Sequence, residues 1–87
     1  MATSEEINRR FFTALDKLIK AREIKSARQF CSKNGYLPTN LSRLRSEPGR
    51  ELPTRLLSAL VSDHNISGDW LLVGTGSMKK PKHVRNN

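Results

Sequence analysis

Three residues within five positions, Thr39, Asn40 and Arg43, carry side chains suited to the edges of base pairs. An Asn amide pairs with adenine N6 and N7, an Arg guanidinium with guanine O6 and N7, and a Thr bonds through its hydroxyl or touches a methyl. Helical periodicity sets them, with Ser46, on one side of a segment whose other side holds Leu41 and Leu44. Pro38 precedes them and offers only apolar contact, such as with a thymine methyl. Arg28, Lys33, Arg45, Arg50 and Arg55 flank the segment, and no acid lies between Arg28 and Arg45. Arg28, Gln29, Lys33, Arg45 and Arg50 are candidates for phosphate oxygens, contacts that set position and affinity rather than sequence choice. Taken singly, each of these residues also fits an ordinary solvated helix face.

Other chemistries find little support. Cys31 is the only cysteine, which excludes an internal disulfide and any Cys-x-x-Cys knuckle. It falls on the apolar side of its segment and reads as a buried, inert thiol. The two histidines, His64 and His83, have no matching ligands nearby, so no metal site is expected. No nucleophile–base pair or paired carboxylates stand at workable spacing, so no catalytic residue, cofactor or enzymatic activity is expected. No small-molecule site is evident.

The positioning elements must fit into 87 residues, which allows one domain. At this size only about 60% of the unfolded chain's surface is buried on folding, leaving little room for a deep cavity. Sixteen Lys and Arg against eight Asp and Glu give a formal net charge of +8, which favours an anionic partner, most often nucleic acid. The apolar stretch Leu71 to Val73 falls far short of a membrane span. Met1 to Glu6 is polar and acidic, unlike a signal peptide, and a cytoplasmic protein with a reduced thiol is expected.

Five helices are predicted and no strand. The first runs from about Ser4, its N-cap, to Arg22, burying Ile7, Phe11, Phe12, Ala14, Leu15, Leu18 and Ile19. The second starts at Ser26, where Ser26 and Gln29 form a capping box, and stops at Asn34-Gly35. The third begins at Pro38, placed where a missing N–H is tolerated, and ends before Glu47-Pro48-Gly49. The fourth spans about Pro53 to His64, with Leu56, Leu57, Leu60 and Val61 inward. The fifth spans Gly68 to Val73 behind a Ser67 cap, with Trp70 and Leu71 filling the core. The domain is taken as residues 1–76. Residues 77–87, rich in Lys and Arg, read as a disordered basic tail. The second and third helices, joined by a tight turn, form the pair that lets a helix protrude into a major groove about 12 Å wide.

Gln29-Phe30-Cys31, Gly35 and Leu41-Ser42-Arg43-Leu44 resemble the signature of the phage-repressor-like (Xre-type, lambda-repressor-like) helix-turn-helix family. Ile66 to Met78 is similar to the N-P-x-W-L-L-x-G-x-G-x-M ending of one branch of it. The resemblance covers about Ile7 to Met78. It implies a compact all-α domain of five helices and binding of a double-stranded DNA operator, usually as a homodimer, by a transcriptional regulator of prophage-repressor type. Carried over by position, Pro38, Thr39, Asn40 and Arg43 would read bases, and Gln29, Arg45 and Ser46 would hold phosphates. The chain departs from the pattern at Leu37, where a polar cap is common, at Pro38, where a polar base-contacting side chain is frequent, and in a longer loop from Glu47 to Leu52. Trp70, Leu71 and Leu72 serve core closure, a dimer contact, or both, with Leu72 or Val73 outward. The same fold can also serve as an antitoxin or a protein-interaction adaptor. An adaptor would lose the basic flank of the third helix, which this chain keeps.

Overall fold

A computed structural model describes residues 3–47 and 49–80. They form α1 (Ser4–Lys20), α2 (Ala27–Lys33), α3 (Pro38–Ser46), α4 (Thr54–His64) and α5 (Gly68–Val73). The described residues are thus all-α, apart from one isolated antiparallel bridge between Ile66 and Lys79. Helix α1 is the spine: α3, α4 and α5 all pack on it, and α2 packs on α3.

The core follows from the apolar stripe of α1. Phe11, Ala14, Leu15 and Leu18 are almost completely buried, together with Phe30 and Cys31 of α2, Leu41 and Leu44 of α3, Leu56 and Leu60 of α4, Ile66, and Leu71 of α5. Each such large side chain contributes about 1.5–3 kcal/mol by leaving water. Phe11 and Phe12 meet edge to face, with centroids 5.1 Å apart. Two members of the expected α1 stripe, Ile7 and Ile19, are only partly buried. Asn8, the neighbour of Ile7, is buried instead. Asn8 is admitted because its side-chain amide donates to the Arg50 carbonyl, tying α1 to the loop after α3. Trp70 is half-buried against the core rather than inside it.

Helix α1 starts one residue earlier and ends two residues earlier than expected from sequence. Its N-cap is Thr3, not Ser4. The Thr3 hydroxyl accepts from the Glu6 N–H, and the Glu6 carboxylate accepts in return from the Thr3 N–H. At the other end the helix stops at Lys20 because Arg22 takes a left-handed φ of 65°. The Glu23 N–H then returns to the Leu18 carbonyl and the Arg22 N–H to the Ile19 carbonyl, a Schellman closure with Arg where Gly is usual. Ile24 follows and is buried, which holds the turn in place.

Helix α2 closes the same way with the ordinary residue. Gly35 has φ of 66°, and Tyr36 and Gly35 donate back to Cys31 and Ser32. Only the Ser26 half of its capping box forms. The Ser26 hydroxyl accepts from the Gln29 N–H, while the exposed Gln29 side chain lines a cleft beside the α1–α2 turn. The boundaries of α3 and α5 match the sequence reading, and α4 starts one residue later, with Pro53 as its cap.

Residues 77–80, expected as tail, are tied to the domain as far as Lys80. The Ser67 N–H donates to the Met78 carbonyl (2.8 Å), and the Lys80 N–H to the Asn65 carbonyl (3.0 Å). Lys79 pairs with Glu23 at 3.1 Å, and the Lys80 ammonium donates to the Val61 carbonyl at 2.9 Å. These backbone pairings clip the chain across the α4–α5 junction as far as Lys80. The rest of the expected tail, 81–87, lies outside the described residues. Among the described residues no helix is long and apolar enough to cross a membrane.

Candidate nucleic-acid interface

Helix α3 is amphipathic in the sense its sequence requires. Leu41 and Leu44 turn inward, and at about 100° per residue the face opposite them carries Thr39, Ser42, Arg43 and Ser46, all exposed. Pro38 and Asn40 are half-buried along the two edges. The expected base-reading set is therefore split: Thr39 and Arg43 stand fully outward, while Pro38 and Asn40 flank them. Ser42 shares the outward face and was absent from the expected set. Its spacing of three from Thr39 and four from Ser46 is the signal that would have placed it there. The Ser46 hydroxyl lies 3.4 Å from the Arg43 carbonyl, a long contact that leaves its oxygen facing outward.

The turn that presents α3 is held from below. The Arg55 guanidinium of α4 donates to the Asn34 and Gly35 carbonyls at 3.0 and 3.1 Å, satisfying the otherwise open end of α2. It also lies 5.7 Å from the centre of the Tyr36 ring. Arg55, a flanking cation by sequence, is thus the brace of the α2–α3 turn. The acid-free run from Lys25 to Ser46 contains both helices and this turn.

The phosphate candidates divide into engaged and unengaged side chains. Arg45 makes a two-pronged pair with Asp16 of α1, at 3.0 and 3.2 Å, and its guanidinium lies 4.3 Å from the centre of the Phe12 ring. It straps α3 to α1. Arg50 pairs with Glu47 at 2.6 Å across the loop. The guanidinium holds the Glu47 carboxyl below its ordinary range, first through this hydrogen bond and then through its charge. Arg28, Lys33 and Gln29 are exposed, and none of the three side chains takes part in an ion pair among the described residues.

A group the sequence reading left out lies next to Gln29. Lys20, Arg22 and Lys25 line an open cleft of about 540 Å³ with Ile19, Ile24, Gln29 and Glu23. Glu23, the one acid there, is neutralised by Lys79 from the closing segment. The cleft is electropositive because two segments distant in sequence meet at Glu23, which no local pattern signals.

No cluster of three or more potential metal ligands occurs among the described residues. Cys31 is fully buried, and burial pushes its thiol pKa up, away from the nucleophilic form. Compared with family models, with characterised proteins and with solved structures, the chain gives no match.

Proposed function

We propose that this protein binds double-stranded DNA sequence-specifically by setting α3 in the major groove, and that it acts as a transcriptional regulator of phage-repressor type. The observation that carries the reading is the outward face of α3. It offers two hydroxyls near its ends, a third at Ser42 and the guanidinium of Arg43, on a short helix braced at its entry turn by Arg55 and lying within the acid-free stretch Lys25 to Ser46. Short polar groups and Arg at the exposed side of a protruding helix are what base-edge hydrogen bonding uses. In this reading Thr39, Asn40, Ser42 and Arg43 choose sequence, with Arg28, Gln29, Lys33 and Ser46 on the backbone. Arg45 and Arg50 serve structure first, since both are already paired. Binding as a homodimer is supported by Leu72 and Val73, which leave 44% and 62% of their surface exposed at the end of α5.

Selection of bound duplexes from a random pool tests the reading. One enriched motif is expected, arranged as an inverted repeat with half-site centres about 34 Å apart for the dimer. Repeating the selection with Arg43→Ala should relax one base pair per half-site, a loss of about 1–3 kcal/mol in discrimination. If no motif were enriched, or if Arg43→Ala returned the wild-type motif unchanged, α3 would not be the reading element.

A further inference from the structure

Leu37 occupies the N-cap of α3, where a Ser, Thr, Asp or Asn side chain would accept a free helix N–H. It makes no such bond, and 63% of its surface is exposed, the largest exposure of any big apolar residue among those described. The position thus forgoes a cap and leaves a hydrophobic side chain in water. Pro38 follows, also apolar and partly exposed, so the two residues that lead into Thr39 at the start of α3 are both apolar and open to solvent. Tyr36, just before them, is held by Arg55, so the pair is built on a fixed turn.

Resting on the reading of α3 as the element in the groove, we infer that Leu37 is a specificity-determining residue that packs on a thymine 5-methyl group. The N-terminal end of a reading helix is the part that meets base edges. The only apolar group on the major-groove edge of a base pair is that methyl. An aliphatic side chain at this edge has no hydrogen-bond partner to offer and gains only by covering hydrocarbon. Leu37 therefore demands an A·T pair in one orientation, at the position next to those read by Thr39 and Arg43.

The test uses the full chain and the duplex enriched by selection. Each thymine of a half-site is replaced in turn by deoxyuridine, which removes the methyl and keeps the pairing. At one position wild-type affinity should fall about fourfold, the effect of one carbon taken out of an apolar contact. Leu37→Ala should bind the thymine duplex about tenfold more weakly and be indifferent to deoxyuridine at that position. Leu37→Ser restores a helix cap, so it should melt above wild type while losing the thymine preference, a split that a purely structural role does not give. The inference is overturned if no thymine is sensitive, or if Leu37→Ala remains as sensitive to deoxyuridine as wild type. Such a result together with relaxed choice in Arg43→Ala would leave the DNA reading standing. Absence of any enriched duplex would overturn both.

Discussion

The strap between α3 and α1 gives a prediction in which stability and DNA affinity move in separable ways. Arg45 holds Asp16 with two hydrogen bonds and lies over the Phe12 ring. The charged side chains are about half exposed, 49% for Arg45 and 56% for Asp16, so solvent and salt weaken the ion pair. Exposed pairs contribute about 0.2–1 kcal/mol, and an exposed cation–ring contact adds about 0.5–1 kcal/mol. Arg45→Ala removes both and should destabilise the domain by about 1–1.5 kcal/mol. Asp16→Ala removes only the first and should cost about 0.5 kcal/mol. For a domain of this size 1 kcal/mol shifts the melting temperature by about 4–8 °C, so thermal unfolding resolves the two. Raising salt to about 1 M shortens the screening length to about 3 Å. The Asp16→Ala deficit should shrink there, while most of the Arg45→Ala deficit persists. On DNA, Asp16→Ala removes an acid and frees a cation, so affinity for arbitrary duplex should rise. The preference for the selected duplex should fall, because α3 is held less firmly to α1, its Arg45 strap resting on the Phe12 contact alone. The reasoning fails if Arg45→Ala melts with wild type, or if Asp16→Ala destabilises more than Arg45→Ala.

Three further predictions concern the frame around α3. Arg22 adopts a left-handed φ that costs an L-residue about 1–2 kcal/mol, so Arg22→Gly should raise stability by up to about 1 kcal/mol in chemical denaturation, after the lost unfolded-state stiffness is deducted. Gly74→Ala should destabilise by about 1–2 kcal/mol in the same assay, because Gly74 has φ of 88° and an added Cβ would sit 3.1 Å from the Arg10 guanidinium, which donates to the Leu71 carbonyl. Glu47 gives an acid-side effect: its folded pKa lies below its ordinary value of 4.5, so its contribution is complete above that value and is lost as pH falls through the folded pKa. Glu47→Gln should accordingly narrow its gap from wild type in melts taken at progressively lower pH below about 4.5; a gap independent of pH would contradict the Arg50 pairing.

The sequence made much of the scaffold legible, for identifiable reasons. Apolar periodicity in α1 and α4 and the punctuation at Gly35, Pro38, Ser67 and Gly74 are local signals, and the helices that they bound appear where expected. The end of α1 was overextended because a Schellman turn built on Arg22 carries no glycine to announce it. Asn8 was not among the expected buried residues, since its burial depends on the Arg50 carbonyl far along the chain. The segment Ser77 to Lys80 reads as tail by composition, yet it is held through its backbone, to which composition is blind. At the interface, the outward placement of Thr39 and Arg43 followed from spacing alone. What Arg45 and Arg55 touch did not, since Asp16 and the α2 carbonyls are reached only through the tertiary fold.

The central claim is that α3 chooses sequence rather than merely adding charge to a basic surface. Its most direct test is the affinity of the full chain for the selected duplex and for a scrambled duplex of equal length, titrated side by side over a range of salt. A preference of about 10³-fold or more, still present near physiological salt and reduced by Arg43→Ala, is the expected result. Equal affinities that fall together and steeply with salt would mean that the +8 charge alone binds DNA, and would contradict the account.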